Sequence, residues 1–128
     1  MGESHEARCL ECGCQFIASE GGGFFFHLLH CEQCGEERSI GFDELGELHL
    51  RYLKSLPNRH CVVSREHDAY VRVHVPVEPI SSEEYRGRVE ALAGSCSCGG
   101  SFTFAAPPRC PECRSTRFDE GPTSICYD

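Results

Sequence analysis

Cysteines in close pairs are the feature that most restricts how this chain can fold. Three pairs have two residues between the thiols: Cys9 and Cys12, Cys31 and Cys34, Cys110 and Cys113. That spacing allows a tight turn whose amides point at the sulfurs, the knuckle that holds a metal ion. Because the chain has 11 cysteines in 128 residues, we predict a fold organised around metal rather than disulfides.

We predict two sites of four thiolates, each built from pairs that are neighbours along the chain. The first predicted site contains Cys9, Cys12, Cys31 and Cys34. The second predicted site contains Cys96, Cys98, Cys110 and Cys113. Only one residue separates Cys96 from Cys98, and two thiols at this shorter spacing can still bind the same metal ion. Arg114 follows Cys113 where glycine follows the N-terminal pairs, so this knuckle need not close in the same way.

Closed coordination by four thiolates is typical of structural zinc, whereas catalytic zinc keeps an open position. We therefore predict two zinc ions per chain. Iron in the same ligand set would serve electron transfer, and ligand identity leaves that alternative open. The sequence contains no Ser-His-Asp order, P-loop or dinucleotide-binding fingerprint, so we predict that the protein is not an enzyme.

The N-terminal cysteine pairs also carry a family resemblance. The pattern C-x-x-C-G-x-x-F followed by a second C-x-x-C-G is formed by Cys9, Cys12, Gly13, Phe16, Cys31, Cys34 and Gly35. It resembles rubredoxin-like zinc ribbons, and in particular the small bacterial FmdB-type regulatory zinc ribbons. The resemblance covers about the first 40 residues and departs from the family in lacking proline within CEQC. It implies zinc and a β-ribbon, and it implies no particular biological role.

A glycine triplet separates the two N-terminal cysteine pairs. Residues 21–23 lie between the apolar segments CQFIASE and FFFHLLH, so we predict a β-hairpin with the glycines in its turn. Both faces of FFFHLLH are largely apolar, which indicates that another part of the chain covers this strand. We expect the cover to be a helix over residues 43–56, where leucines recur at helical spacing before Pro57.

A second helix is predicted over residues 81–94, because Ser81 and Glu84 fit a capping box and Gly94 suits the end. Its apolar stripe is Tyr85, Val89 and Leu92. Residues 61–79 are ambiguous, since their valines alternate as in a strand while Ser64 could cap a helix; helix is slightly preferred.

Near the C-terminus we expect a second hairpin that pairs SFTFAA with a strand near STRFDEG, with SICY as a further strand. The predicted fold class is therefore α+β, with two small zinc-ribbon β-hairpin modules packed on two to three central helices. The corresponding division is an N-terminal ribbon over 1–42, a helical region over 43–94 and a C-terminal ribbon over 95–128.

Three cysteines remain outside the two predicted sites: Cys14, Cys61 and Cys126. Free cysteine is among the most buried residue types, so we expect core thiols. In CLECGCQF, Cys14 could replace Cys9 as the partner of Cys12, and this alternative stays open. His27 and His30 flank the second pair, and we expect each to contact a thiolate or lie at the surface.

Charge constrains the partners of this chain. Net charge is −8, and two zinc–tetrathiolate sites would bring it to about −12, which repels nucleic acid. We therefore predict a small adaptor or regulatory protein that contacts other proteins. A transcription-associated nucleic-acid-binding ribbon is the first alternative, based on the arginines around the second site; a rubredoxin-like iron or thiol redox protein is the second.

The N-terminus shows no apolar leader and no segment has the length of a membrane span. The sequence therefore predicts a cytoplasmic protein without membrane contact.

Overall fold

The computed structural model describes residues 2–23, 25–55 and 65–127 and folds them into two small antiparallel sheets and four helices. The strands are β1 (Gly2–Cys9), β2 (Gln15–Glu20), β3 (Phe26–Cys31), β4 (Glu37–Gly41), β5 (Phe102–Thr103) and β6 (Phe118–Tyr127). The helices are α1 (Phe42–Leu45), α2 (Glu47–Ser55), α3 (Arg65–His74) and α4 (Ser82–Ala93). Within these described ranges, no helix combines the length and apolar character that a membrane crossing requires.

The two sheets each combine strands from both ends of the chain. One sheet has the order β2-β1-β6, so the last strand pairs with the first. In it, Cys9 lies opposite Phe118 and Ala7 opposite Phe16, and a register shift between His5 and Ala7 marks a bulge. The other sheet has the order β4-β3-β5, and the short β5 pairs only with the end of β3. The fold is thus mixed α and β.

Both predicted hairpins are wrong. β2 and β3, which flank the glycine triplet, belong to different sheets. Each instead pairs across a cysteine knuckle, β2 with β1 and β3 with β4, because the knuckle itself is the tight turn that reverses the chain. At the C-terminus, β5 pairs with β3, and the segments near STRFDEG and SICY merge into one strand, β6.

The helix predictions are largely confirmed. The helix expected over 43–56 is present but broken at Gly46, where φ is 55°. The preference for helix within 61–79 holds for α3, whereas Ser64 and Cys61 lie outside the described residues. Ser81 caps α4, because its side chain accepts a hydrogen bond from the Glu84 amide. This is one of the two hydrogen bonds of the predicted capping box.

The hydrophobic core lies between β3, β4 and α4. It is formed by Leu29, Cys31, Ile40, Leu45, Ile80, Tyr85, Val89, Ala93, Cys96 and Phe102. β3 is covered within the chain, as expected, and α4 contributes three residues to this core cluster where the helices after β4 contribute Leu45. On α4, Leu92 is exposed and Ala93 takes the buried position that the stripe assigned to Leu92. The three-part division at 42/43 and 94/95 stays a prediction.

Candidate metal centre

Eight cysteines gather into two groups of four. The outer group consists of Cys9, Cys12, Cys110 and Cys113. The inner group consists of Cys31, Cys34, Cys96 and Cys98. We call them outer and inner because the inner pairs lie between the outer pairs along the chain. In each group the four sulfurs lie within 4.8 Å of one another, so each group could hold a metal ion.

The predicted pairing of the cysteines is wrong, although the same eight residues take part. The prediction combined pairs that are neighbours along the chain, Cys9–Cys12 with Cys31–Cys34 and Cys96–Cys98 with Cys110–Cys113. The structure instead joins the first pair to the last and nests the two middle pairs between them. The physical reason is the pairing of β6 with β1, which brings the two chain ends together.

The four knuckles share one backbone pattern. The amide of Cys9 donates to the Cys14 carbonyl at 2.9 Å, and the Gly13 amide donates back to the Cys9 carbonyl at 3.0 Å. The Cys96 knuckle repeats this pattern with one residue fewer, through the Gly100 carbonyl and the Gly99 amide. The residue after the second cysteine always has positive φ: Gly13 (75°), Gly35 (78°), Gly99 (95°) and Arg114 (64°).

Arg114 therefore occupies a position that glycine fills in the other three knuckles. Its amide donates to the Cys110 carbonyl at 2.8 Å, so the turn closes as the others do. A left-handed backbone costs a residue with a Cβ about 1–2 kcal/mol, which Arg114 sustains because the knuckle fixes its conformation. The absence of glycine after Cys113 thus changes the strain of this knuckle and leaves its closure unchanged.

The sulfur positions fit tetrahedral coordination. In the outer group, Cys9 Sγ lies 3.4 Å from Cys113 Sγ, and Cys12 Sγ lies 3.5 Å from Cys110 Sγ. In the inner group, Cys31–Cys98 and Cys34–Cys96 give the same two distances, 3.4 and 3.5 Å. Metal–sulfur bonds of about 2.3 Å at tetrahedral angles require sulfur–sulfur distances of about 3.8 Å. These distances are about 0.3 to 0.4 Å shorter than that, and all four sulfurs of a group lie within 4.8 Å of one another, so small shifts of the sulfurs accommodate an ion.

Each group contains a thiol whose pKa is lowered to about 6, which predisposes it to ionise. Burial raises the pKa of Cys31, but the amides of Cys34 and Gln33 and the thiols of Cys98 and Cys34 lower it to about 6. Burial also raises the pKa of Cys110 in the outer group, but the amides of Cys113 and Glu112 lower it to about 6. These amides are donors that stabilise a thiolate, as metal ligation requires.

Each group also contains a thiol whose pKa is raised to about 12, Cys113 in the outer group and Cys96 in the inner group. The Cys98 amide lowers the pKa of Cys96, but the Glu36 carboxylate, burial and the thiols of Cys34 and Cys98 raise it to about 12. The thiol of Cys96 donates to Glu36 Oε2 at 3.0 Å. Four neighbouring thiols cannot all be anionic without a cation among them, so the donor set fits a bound metal.

Arg109 connects the two groups. Its guanidinium donates to the Arg114 carbonyl at 3.0 Å and to the Glu32 carbonyl at 3.1 Å. Arg114 closes an outer knuckle, and Glu32 lies within the inner knuckle that starts at Cys31. The stem of Arg109 packs on Gly35, where an added Cβ would lie 2.5 Å from the Arg109 Cβ. One side chain therefore contacts a knuckle of each candidate site.

The remaining cysteines have different environments. Cys14 is half-buried beside the outer group, where burial raises its pKa and the neighbouring Cys110 thiol adds to that effect. It lies outside the set of four, which favours Cys9 over Cys14 as the partner of Cys12. Cys126 is exposed on β6, so the expectation of a core thiol is wrong there. Cys61 lies outside the described residues.

Of the two histidines near Cys31, His30 is buried and His27 is half-buried. His27 Nε2 and the Tyr85 hydroxyl share a hydrogen bond of 2.6 Å. Burial, and then the charge of Arg86, lower the pKa of His27 to about 4, so the ring is neutral near pH 7. His30 is 4% exposed, and Glu37 is its nearest carboxylate, at 3.9 Å. Neither histidine belongs to a four-sulfur group.

Comparison with protein families gives a match over most of the chain. The model of a family described as a domain of unknown function (DUF8255) matches residues 5–119, a range that includes all eight clustered cysteines. No curated protein and no solved structure matches the chain.

Proposed function

The chain belongs to this DUF8255 family, and we propose that it is a non-enzymatic zinc protein whose two four-cysteine sites are structural. The observation that carries the proposal is the closure of both groups, with four thiols each and knuckle amides directed at the sulfurs. Such a site leaves no position for a substrate or for an activated water. The N-terminal pattern that resembles a zinc ribbon does not form one site, because Cys9 and Cys12 join the outer group and Cys31 and Cys34 the inner group. Zinc is favoured by the donor set itself, four thiolates with no other ligand type.

The metal content is the first test. Elemental analysis and native mass spectrometry of the purified chain should give two zinc ions, and the solution should be colourless. A red protein with iron bound would replace the structural proposal with the electron-transfer alternative, because ferric tetrathiolate sites absorb visible light. A chain that folds without any metal would overturn the proposal.

We further propose that the protein acts as a small adaptor through contacts with another protein. The support is an exposed face of the β2-β1-β6 sheet. Ile17 lies opposite Glu6 and Ile125 opposite Ser4, which puts both isoleucines on the same face on either side of β1. Ile17 is 60% exposed and Ile125 is 66% exposed, which is unusual for large apolar side chains on one sheet face.

A double substitution tests the adaptor role. Ile17→Glu with Ile125→Glu should abolish stoichiometric recovery of a partner from native lysate while both zinc ions are retained. Val73→Glu is the matched control, because Val73 is 74% exposed on α3, away from this sheet. Equal recovery by the double variant and by the wild type would contradict the assignment of this face.

Three arginines that could contact nucleic acid have partners within the chain. Arg109 donates inward to two backbone carbonyls, and Arg117 lies 3.8 Å from Glu11. Arg88 on α4 pairs with Glu84 at 2.9 Å. Phosphate contacts require guanidinium groups that are free and point the same way, and these three are engaged with different partners.

A further inference from the structure

A cavity of about 410 Å³ opens beside β3, on the side away from β4. Its walls come from residues 20–22, where β2 ends and the connection to β3 begins, from β3, from α2 and α4, and from residues 104–107. Tyr52, Tyr85 and Phe104 provide aromatic walls, and Tyr52 stacks on Tyr85 with ring centroids 4.0 Å apart. A volume in this range, lined by aromatic groups and a few polar ones, is typical of ligand sites.

The edge of β3 that faces the cavity has a gap one residue wide. Alternate residues of a strand direct their N–H and C=O to opposite sides. The Phe26 carbonyl accepts from Gly23 and the Glu32 amide donates to Ser101, so the even-numbered residues face away from β4. β5 pairs with His30 and Cys31 only. Within the described residues, the N–H and C=O of Leu28 therefore have no strand partner.

One cation beside this gap has no acidic partner in the described ranges. Arg86 lines the cavity with its guanidinium 5.5 Å from the Phe104 ring centroid, and no carboxylate in the described part of the chain forms a salt bridge with it. His30 lines the same cavity and is 4% exposed, with its Nε2 atom 3.9 Å from Glu37 Oε1. Glu20 is the one acidic residue in the lining.

We propose that this cavity binds the carboxyl-terminal residue of a partner polypeptide. One extended residue presents an amide N–H and a carboxylate at the spacing that Leu28 complements, with its C=O as acceptor and its N–H as donor. The carboxylate also pairs with the Arg86 guanidinium, and an apolar side chain packs against Phe104 and Tyr52. A chain end fits better than a continuous strand, because Gly22 and β5 close the edge on either side of Leu28.

This inference rests on the proposed adaptor function and names the chemistry of a partner. Its test uses the metal-loaded full chain and N-acetyl-L-phenylalanine as the probe, with N-acetyl-L-phenylalanine amide as the matched neutral probe. Binding is followed by the Leu28 amide resonance in ¹⁵N–¹H spectra. We expect the acid to shift this resonance in a saturable way and to bind at least about tenfold more tightly than the amide.

Two pairs of variants assign the contacts. Arg86→Met should remove the preference for the acid, whereas Arg88→Met, on the same helix but paired with Glu84, should retain it. Ala105→Trp places bulk in the cavity wall and should abolish binding. Ala91→Trp is its control, since Ala91 is exposed on α4 and absent from the lining.

Failure of this inference is distinguishable from failure of the proposed function. Zinc content is measured on the same sample, so a chain with two zinc ions and no shift of Leu28 at millimolar probe overturns the cavity assignment alone. Equal binding of acid and amide, or an unchanged preference in Arg86→Met, also overturns it. A sample without zinc overturns the metal proposal whether or not the probe binds.

Discussion

The outer and inner groups have the same ligands and similar sulfur distances, yet they differ in what surrounds them. Cys31 and Cys96 of the inner group belong to the hydrophobic core, and Cys34 and Cys98 pack against it. In the outer group Cys12 and Cys113 are exposed, and none of its four cysteines is part of the core cluster.

A four-thiol site can thus serve two structural purposes in one chain. The inner group joins the knuckle between β3 and β4 to the end of α4, so a metal there fixes the core elements. The outer group joins the turn after β1 to the turn before β6, so a metal there fixes the two chain ends. The difference predicts unequal consequences when either group is disrupted.

The largest expected effect is the loss of an inner ligand. Cys31→Ser should cost more than about 4 kcal/mol in the free energy of unfolding, because an incomplete inner site leaves the core without its metal. Cys113→Ser in the exposed part of the outer group should cost about 1–3 kcal/mol. Urea unfolding followed by circular dichroism measures both values. Equal costs would show that the two groups support the core to the same extent.

The rate at which metal is released should also differ between the two groups. A chromogenic chelator reaches exposed sulfurs directly, whereas the inner thiolates become accessible only when the core opens. We expect two kinetic phases of one metal equivalent each, with the fast phase from the outer group. Cys113→Ser should lose the fast phase and retain the slow one. A single phase for both equivalents would contradict the distinction.

Substitution of one glycine in each group should change the free energy of unfolding by less than loss of an inner ligand does. Gly13 in the outer group and Gly35 in the inner group both have positive φ, and each follows the second cysteine of its knuckle. An added Cβ at Gly13 meets open space, but at Gly35 it would lie 2.7 Å from the Arg109 backbone nitrogen. Gly13→Ala should therefore destabilise the fold by about 1 kcal/mol, and Gly35→Ala by about 3 kcal/mol or more.

Thermal unfolding of the metal-loaded variants measures that difference. If Gly35→Ala proved no worse than Gly13→Ala, the close packing between Arg109 and the inner knuckle would not contribute to stability.

The smallest expected effect is a gain in stability. Arg114→Gly should raise the free energy of unfolding by up to about 1 kcal/mol, because glycine adopts the positive φ of this outer knuckle without strain. The bond from Arg109 to residue 114 is to the backbone carbonyl, so it survives the change. Arg117→Gly is the control and should give no gain, since Arg117 has no positive φ. A loss of stability in Arg114→Gly would refute the strain at this position.

Local features of this fold could be predicted from the sequence, because their causes are local. The eight clustered cysteines follow from spacing alone, and α4 follows from Ser81 at its start and Gly94 at its end. Gly46 has positive φ and breaks the predicted helix after β4, an effect that leucine periodicity does not reveal.

The pairing of the cysteines could not be predicted, because it depends on contacts between distant parts of the chain. C-x2-C knuckles are interchangeable in sequence, and the choice between partners is made by the pairing of β6 with β1. The glycine triplet had the composition of a hairpin turn, but each knuckle already reverses the chain, so the triplet connects two sheets instead.

The nested arrangement of the two groups is the central claim, and metal counting tests it directly. One variant replaces Cys9, Cys12, Cys110 and Cys113 with serine, and the other replaces Cys9, Cys12, Cys31 and Cys34. Native mass spectrometry should show one metal ion in the first variant, whose inner group is complete, and none in the second. One ion in the second variant and none in the first would contradict the nested arrangement and restore pairing in chain order.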